Sequence, residues 1–585
     1  SSHDHKRLYF GANKVYRTDD QGNNWRAISP DLSRQLDRNT FEVMGKVWSV
    51  DAIAKNQSTD IFGQTTTLSE STLDENIIWA GTDDGLIHLT QDGGKTWTKF
   101  DNIMGVPAMT YVHQIIASVH NKSTAYVCFN HHRYGDFSPY VFKTIDSGKT
   151  WQNITADLPK RGSVYSIAED HLDPSLLFVG TEFGVFFSHN AGVNWTQLKA
   201  GLPTIAVRDL EIQRRENDLI LATFGRGFYI LDDYSPLRHI NKISTAENGL
   251  ILPIKEALLY IERKPLGLRD KGHLGSSYFS TPNPQVGSVI TYYLKNELKN
   301  RADKRKEVEK MKLEKGEKIS YPSPDSMRAE DNDIDPYLLF TITDANGKVM
   351  RQIKQSPKKG LNRMVWDFRM SDYSPVEGRY TPRPDQLFGS GTLGAMVTPG
   401  KYGVVMQQYV DGELTTLTPV VNFECKALNV ASIPNPSPQD NLQFTEQVIT
   451  LSRKLDHSGT KLSKIQSMLK SIDKAVLDMP ALGNDILKTS YTLGKELNEL
   501  KLKMNGDASM ARRQFETAPS INGRVGTILG VVVTSTAPVP GIYKESYNTA
   551  LSEFEMVAPK VDALYEKVID LVKKVDAAGG PYIDR

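Results

Sequence analysis

The sequence predicts a mainly β protein with a C-terminal α-helical part, and three observations lead to this prediction. Four copies of one short pattern recur within the first 240 residues. Strand-like segments separated by turns fill much of residues 281–427. After Cys425 the apolar period changes from two residues to about 3.6. We therefore expect β-propeller blades, then a β-sandwich, then a bundle of helices.

The repeated pattern, which we call a box, has the composition of a tight hairpin. A hydroxyl residue is followed by an acid two positions on, a glycine two further and a tryptophan three after that. The hydroxyl and carboxylate can bond turn backbone groups, glycine supplies a positive φ, and tryptophan can cover the turn. In the fourth box an amide, Asn190, replaces the acid and can cap the same turn. The boxes are Thr18, Asp20, Gly22 and Trp25; Thr90, Asp92, Gly94 and Trp97; Thr144, Asp146, Gly148 and Trp151; and Ser188, Asn190, Gly192 and Trp195.

Each box lies in a longer unit of four short strands, and residues 1–240 are predicted to form propeller blades. With insertions set aside, the box spacing approaches the roughly 40–50 residues of a four-stranded blade. The first unit has no lead strand before Leu8, so we expect about four and a half blades. An open propeller exposes strand edges. Missing N-terminal sequence or another chain is therefore expected to complete the ring.

The remaining chain is predicted to contain a connector, a sandwich and helices. Residues 241–280 form the connector, and residues 281–427 the sandwich, with Trp366 in its core. The insert 295–330 carries charges of both signs and is interpreted as a solvated helix. Interleaved glutamates argue against a nucleic-acid arm. Residues 428–585 are expected to form the bundle, with helices at 438–478, 480–503, 520–532 and 543–576.

Composition excludes several classes of function. Lysine plus arginine (70) nearly balances aspartate plus glutamate (69), which argues against nucleic acid or an anionic membrane as partner. The two cysteines, Cys128 and Cys425, are far apart, and no cysteine pattern indicates a metal site. No apolar stretch is long enough to span a bilayer. No cofactor and no metal ligand are predicted.

The boxes, and runs such as Gly180-Thr-Glu-Phe-Gly184 and Thr223-Phe-Gly-Arg-Gly-Phe-Tyr, resemble secreted bacterial WD40/YVTN/BNR-like (Asp-box) repeat proteins. Proteins of that group are often labelled glycosyl hydrolase or sortilin (VPS10) N-terminal-like. The segment from Asp344 through Trp366 to Tyr402 resembles a FlgD-type immunoglobulin-like domain. The resemblance implies a secreted, periplasmic or cell-surface location and further propeller sequence upstream. It also implies that the boxes sit on the outer rim, away from a catalytic face.

Candidate catalytic groups are weak in this sequence. A glycosidase needs two carboxyls about 5–10 Å apart, and a sialidase-like site also needs several arginines and a tyrosine paired with an acid. Arg208 and Arg226 alone do not make that cluster. Adjacent His131 and His132 point to opposite faces of a strand, and with His171 they are interpreted as loop residues rather than metal ligands. Acids near predicted strand ends are Asp83, Asp84, Glu169, Asp170, Glu182, Asp209 and Asp232.

The sequence therefore predicts a non-catalytic propeller scaffold or binding protein with a protein, peptide or glycan ligand. No catalytic residue is assigned, since no phosphate-binding glycine loop and no G-x-S-x-G elbow is present. Two alternatives stay open. One is a sialidase- or xyloglucanase-like glycoside hydrolase whose second carboxylate lies on the missing blades. The other is a sortilin-like receptor that binds a peptide within the propeller channel.

Overall fold

The chain folds as a mainly β protein with a helical region at its C-terminal end, as the sequence predicted. The computed structural model describes residues 1–53, 55, 62–199, 201–262, 281, 283–371, 394–428, 433–479 and 482–584. The chain divides into two units, Ser1–Thr245 and Ala246–Arg585. Part of the predicted connector, residues 263–280, lies outside the described residues.

Five antiparallel sheets, which we call blades 1 to 5, follow one another in the first unit, and each strand pairs with the next along the chain. Blade 1 contains β1 (Leu8–Gly11), β2 (Val15–Thr18) and β3 (Arg26–Ala27). Blade 2 contains β4 (Thr65–Ser71), β5 (Asp74–Thr82), β6 (Ile87–Thr90) and β7 (Thr98–Phe100). Blade 3 contains β8 (Tyr111–Ala117), β9 (Ala125–Asn130), β10 (Tyr140–Thr144) and β11 (Gln152–Asn153). Blade 4 contains β12 (Val164–Glu169), β13 (Leu177–Thr181), β14 (Gly184–Ser188) and β15 (Thr196–Leu198), and blade 5 contains β16 (Val207–Gln213), β17 (Asp218–Thr223) and β18 (Phe228–Leu231).

Successive blades pack face to face through their first strands, which is the arrangement of a β-propeller. Strands β4, β8, β12 and β16 each contact the next in this series. A separate apolar cluster fills each gap between neighbouring blades. Both faces of an inner strand are therefore covered. Trp79 of blade 2, for example, shares a cluster with Val112 and Phe142 of blade 3. The apolar faces of each blade are thus buried against the neighbouring blade.

Close approach between blades requires glycine at two inner positions. A Cβ atom at Gly81 would lie 2.8 Å from Thr67 Cγ2 and 2.9 Å from Val112 Cβ. At Gly180, a Cβ atom would lie 2.7 Å from the Val207 carbonyl oxygen of the next blade. Side chains are excluded there by space rather than by backbone conformation.

Two sheets share one core in the second unit. The first has the order β19 (Gly249–Ile251), β21 (Ser288–Leu294) and β24 (Gly360–Trp366). The second has the order β20 (Ala257–Leu259), β27 (Val421–Ala427), β25 (Gly400–Val410), β22 (Tyr337–Asp344) and β23 (Val349–Gln355), with β26 (Glu413–Thr416) pairing β25. Trp366 is fully buried and contacts the rings of Tyr402 and Phe423. The pairing of β20 with β27 is parallel.

The charged insert forms two helices, α1 (Arg301–Glu314) and α2 (Pro324–Asp331), neither of which has a buried residue. Arg305 of α1 donates to Glu330 of α2 at 2.7 and 2.8 Å and to Glu309 at 3.0 Å. These ion pairs hold the two helices together without an apolar core.

The C-terminal helices enclose an apolar core of their own. They are α3 (Pro438–Asp478), α4 (Asn484–Asn505), α5 (Ala508–Ala511), α6 (Ile521–Val532) and α7 (Gly541–Ala577). Positions at helical spacing on the four longer helices meet in one cluster, which includes Ile465, Ile472, Leu497, Ile528, Val561 and Val568. Among the helices described, none combines the length and apolarity needed to cross a bilayer.

The close packing at Gly180 is testable. Gly180→Ala should destabilise the first unit by about 1–3 kcal/mol, because the added methyl group overpacks the contact between blades 4 and 5. Chemical unfolding followed by tryptophan fluorescence measures the loss. Gly400→Ala is the matched control, since nothing lies within 4 Å of its Cβ position. Equal stability of the two variants would contradict this packing.

Candidate functional site

The antiparallel blades have two distinct sides. One side of each blade, which we call the box side, carries two turns. These are the turn between the first and second strands and the box turn between the third and fourth strands. The turn from second to third strand and the link to the next blade lie on the other side, which we call the connection side. Loops on a rigid scaffold commonly carry binding residues. Polar side chains cluster on both sides.

The box residues form the hydrogen bonds expected of a capped turn. Thr90 Oγ1 donates to Asp92 Oδ1 at 2.8 Å and accepts from Gly94 N at 2.9 Å. Asp92 in turn accepts from Thr96 N at 2.9 Å. The same bonds recur in the other boxes, through Thr18, Asp20 and Gly22; Thr144, Asp146 and Gly148; and Ser188, Asn190 and Gly192. Hydrogen bonds from Thr96 lower the pKa of Asp92 to about 2.

The boxes also make contacts between blades, which the sequence did not indicate. Trp97 Nε1 donates to the Ile28 carbonyl of blade 1 at 2.8 Å, and Trp195 Nε1 donates to the Ile154 carbonyl of blade 3 at 2.9 Å. The box glycines face the same neighbours. A Cβ atom at Gly94 would lie 2.5 Å from Ile28 O. A box therefore caps its own turn and binds the preceding blade.

Gly148 and Trp151 of the third box also pack on the preceding blade, but Trp151 Nε1 is buried without a hydrogen-bond partner. A Cβ atom at Gly148 would lie 2.5 Å from Phe100 Cζ of blade 2, and the ring of Trp151 lies 6.0 Å from that of Trp79. Blade 5 lacks a box, and Tyr234 takes this place. Its ring lies 5.1 Å from Phe178 of blade 4.

The first box is in a different situation. Trp25 is 44% exposed, and its ring lies 6.3 Å from that of Phe10, which is 60% exposed. The nearest atom to a Cβ at Gly22 is Trp25 Nε1, at 3.7 Å. Thus the surface that the later boxes use against a preceding blade is open in blade 1.

Two candidate acids on the box side are structural anchors. Glu169 accepts from Ser118 Oγ at 3.0 Å, Val119 N at 2.8 Å and Tyr126 OH at 2.9 Å, and so joins blade 4 to blade 3. Its carboxylate is therefore occupied by bonds between blades.

Asp170 is fully buried and accepts from Arg238 at 2.7 and 3.0 Å and from Tyr234 OH at 2.6 Å. Burial alone would raise its pKa, but the hydrogen bonds from Arg238 and Tyr234 outweigh burial and lower the pKa. This pairing of a buried carboxylate with a guanidinium holds the segment after β18 against blade 4. Asp232, also a candidate, follows β18 on the same side.

The acids of blade 2 hold loops on the connection side. Asp83 Oδ1 accepts from Gly63 N at 2.9 Å and Gln64 N at 2.8 Å. Asp84 Oδ2 accepts from Arg34 N at 2.7 Å. Burial raises the pKa of Asp83. In blade 5, Asp209 accepts from Gln114 Nε2 at 3.3 Å and from Leu210 N at 2.9 Å.

A tyrosine paired with an acid does occur on the connection side. The Tyr165 hydroxyl donates to Glu182 Oε2, and Arg208 Cζ lies 3.9 Å from the centroid of the Tyr165 ring. Tyr165 is only 4% exposed. Burial, followed by the hydrogen bond to Glu182, raises the pKa of Tyr165 to about 12. A phenol in this state is a poor nucleophile at neutral pH.

These groups belong to a longer stack, which we call the aromatic ladder: Arg133, Tyr111, His113, Tyr165, Arg208 and Phe224. Successive members lie 5.1, 5.6, 5.1, 3.9 and 5.2 Å apart, measured between ring centroids or from the guanidinium carbon to the ring. The ladder crosses blades 3, 4 and 5. Burial and repulsion from Arg208 lower the pKa of His113 to about 4, so this imidazole is neutral at physiological pH.

The histidines singled out by the sequence do not form one cluster of ligands. His131 Nδ1 lies 2.9 Å from Thr110 Oγ1, whereas His132 hydrogen-bonds Asn130. His171 lies 3.8 Å from the Asp170 carboxylate on the box side. Over the residues that the structure describes, no group of three or more histidine, cysteine, aspartate or glutamate side chains could hold a metal ion.

No protein-family model and no curated protein matches the chain. Among solved structures, the chain is similar to the β-propeller domain of Myceliophteria thermophila Cps50 (Swd1), with 12% identity, a TM-score of 0.27 and coverage of 39% of this chain and 62% of that one. The chain is also similar to YCF48 from Cyanidioschyzon merolae, with 18% identity, a TM-score of 0.23 and coverage of 29% of this chain and 53% of that one. The similarity to the GH74 xyloglucanase from Xanthomonas campestris has 13% identity, a TM-score of 0.30 and coverage of 71% of this chain and 63% of that one. The chain thus spans less than two thirds of each of these three chains.

The box hydrogen bonds make stability depend on acid. Because the pKa of Asp92 falls from 3.8 to about 2 on folding, its contribution is present above pH 3.8 and is lost as the pH falls through about 2. Asp92→Asn should therefore reduce the acid sensitivity of the unfolding midpoint between these values. Thermal unfolding at several pH values tests this. Asp325→Asn, on an exposed helix, is the control; an identical pH profile for wild type and Asp92→Asn would refute the effect.

Proposed function

We propose that the chain is a non-catalytic propeller scaffold and binding component, whose blade 1 docks against a further blade-forming polypeptide segment. The observation that carries this proposal is the unused box surface of blade 1. The second, third and fourth boxes each place their glycine against the preceding blade at atomic contact distance, whereas the first box meets solvent at the same place.

The chemistry of blade 1 fits a blade rather than a small ligand. Large apolar side chains are costly to leave exposed, and aromatic groups contribute strongly to interfaces when buried. Leu8 and Phe10 are both exposed on β1, and Trp25 adjoins Phe10. In blades 2 and 4 the corresponding strands, β5 and β13, bury their apolar residues against both neighbours. A partner with the surface of blades 1 to 4 would bury the β1 side chains in the same way.

The far end of the array offers a second open surface. Phe228 is 76% exposed and Ile230 is 58% exposed on β18 of blade 5. A ring that continues from blade 1 would return to this end, because propellers remove strand edges by closing on themselves. Both surfaces therefore support one function, assembly into a larger propeller.

The state of the candidate acids supports the absence of catalysis in this proposal. A general acid must be able to exchange its proton with substrate, and Glu169 and Asp170 are occupied by buried bonds between blades. The Tyr165–Glu182 pair is the one feature that favours a sialidase-like hydrolase. Its buried ring and the raised pKa of the phenol favour a structural role instead.

We propose that the two-sheet domain with buried Trp366 is immunoglobulin-like and that the protein is located outside the cytoplasm or at the cell envelope. The four boxes support the Asp-box assignment, because the same turn hydrogen bonds recur in every copy, through a carboxylate in three boxes and through the Asn190 amide in the fourth. A sortilin-like peptide receptor is compatible with the same blades and would use the propeller channel.

Hydroxyl-radical footprinting tests the docking of blade 1. In native material isolated from its source, Phe10 and Trp25 should be protected relative to the isolated chain of residues 1–585, because a further blade covers them. Phe515, exposed in the C-terminal unit, should react equally in both samples. Native mass spectrometry of the same material identifies the covering segment.

A pair of box variants separates docking from folding. Trp25→Ala should leave the unfolding midpoint of the isolated chain nearly unchanged but abolish protection of Phe10 in native material. Trp97→Ala should lower the midpoint, since its indole bonds blade 1 within the chain. Equal reactivity of Phe10 in native material and in the isolated chain would overturn the proposed docking.

The non-catalytic assignment predicts no glycosidase activity. Native material should not hydrolyse a panel of 4-nitrophenyl glycosides, sialosides or xyloglucan above the rate in buffer, because Tyr165 is buried and the pKa of its hydroxyl is raised. Release of nitrophenol or reducing sugar is the measurement. Turnover that disappears in Tyr165→Phe or Glu182→Gln would instead establish the hydrolase alternative.

A further inference from the structure

We infer that Arg208 and the aromatic ladder form a binding subsite for an acidic polypeptide segment on the connection side. The inference deepens the proposed binding function by naming a ligand class, and it rests on that function. Its site lies on blades 3 to 5, apart from the docking surface of blade 1. The peptide-binding experiment and the footprinting of blade 1 therefore give separate answers.

The first argument is the unmatched charge of Arg208. Its guanidinium is half-buried between the rings of Tyr165 and Phe224, at 3.9 and 5.2 Å. Its Nε is shielded from solvent and has no hydrogen-bond partner. In the described part of the chain no ion pair engages Arg208, whereas Arg238 on the box side has a bidentate carboxylate. A partly desolvated cation without a counter-ion gains from binding an anion.

The second argument is the charge of the surroundings. Arg133 stands at the other end of the ladder, and the effects of Arg133 and Arg208 on His132 lower the pKa of that imidazole. Burial is the larger cause of that shift. Glu182 is engaged by Tyr165, and Asp83 is a second carboxyl on this side, which the charge of Arg133 influences. Arg133 thus has a carboxylate within electrostatic range, whereas Arg208 has no ion-pair partner among the described residues and can attract a negatively charged ligand.

The third argument concerns the apolar groups beside the cations. Phe224 is 70% exposed, and Phe183 is exposed next to Glu182. Phe183 Cδ2 lies 3.1 Å from the Cβ position of Gly162, and Gly162 N donates to the Phe137 carbonyl at 2.8 Å, so Phe137 belongs to the same patch. These exposed phenylalanines offer apolar surface that the apolar side chains of a polypeptide would bury.

Together these features select a polypeptide that presents a carboxylate next to apolar side chains. The carboxylate would accept from the Arg208 guanidinium, whose planar face stays stacked on Tyr165, and the apolar side chains would cover Phe224 or Phe183. Arginine fits such a role because its planar donors match a carboxylate while its face packs on an aromatic ring. Arginine and aromatic side chains are also the groups enriched in binding hot spots.

Fluorescence anisotropy with labelled peptides tests the subsite on the full chain. The probe is a short peptide of glutamate, phenylalanine and serine residues with an amidated C-terminus. Its counterpart carries glutamine in place of each glutamate. We expect the acidic peptide to bind, the glutamine peptide to bind at least about tenfold more weakly, and higher ionic strength to weaken binding further.

Arg208→Gln should reduce affinity for the acidic peptide by about tenfold or more. Arg215→Gln is the matched control, because Arg215 lies in the same blade, is largely exposed and is on the box side. Thermal unfolding of both variants checks that the blades stay folded. If Arg208→Gln fails to fold, the comparison of the two peptides and the salt dependence on wild type decide the question.

Three results would overturn the inference. One is equal affinity of wild type and a folded Arg208→Gln variant, and the second is equal affinity for the acidic and glutamine peptides. The third is Arg208-dependent binding of an oligogalacturonate without binding of the acidic peptide. That result would assign the subsite to acidic glycans. Loss of peptide binding would leave the footprint of Phe10 and Trp25 unaffected.

Discussion

The contact between each box and the preceding blade is the constraint on which the first unit depends. Trp97 and Trp195 donate to main-chain carbonyls of the blade before them, while box glycines permit that blade to approach. A four-stranded blade cannot bury both of its faces alone, so its stability comes from its neighbours. Where blade 5 lacks a box, Tyr234 reaches blade 4 and the buried Asp170 instead. Contact with the preceding blade is thus made by a box tryptophan in some blades and by Tyr234 in blade 5.

Much of the fold could be predicted from the sequence because its signals are local. The box pattern needs eight consecutive residues, and the change to helical spacing after Cys425 is visible within a few turns. The candidate site could not be predicted in this way. Tyr165 and Arg208 meet only because two blades pack together, and nothing near either residue in sequence marks the other. Only the alternation of Tyr111 and His113 on one strand was a local signal for the ladder.

The carboxylates illustrate the difference between residue type and residue state. The candidate acids lie at or near strand ends, but their hydrogen-bond partners decide what each carboxylate can do. Glu169 bonds a tyrosine and a serine of blade 3, and Asp170 bonds an arginine. Arg208 is the reverse case, because a common surface residue is left half-buried without a counter-ion. Burial and pairing, which depend on distant segments, therefore carry more information about function than composition does.

The parallel pairing of β20 with β27 has a mechanical consequence. Ala257 pairs with Cys425 and Leu259 with Ala427, so β20, the second strand of the two-sheet domain, lies beside β27, its last strand. Tension applied between the start of β20 and the end of β27 pulls these parallel strands in opposite directions along their length. Their hydrogen bonds are then loaded together in shear rather than opened one at a time. Such a pair resists extension between these two points more strongly than a pair whose hydrogen bonds open in succession.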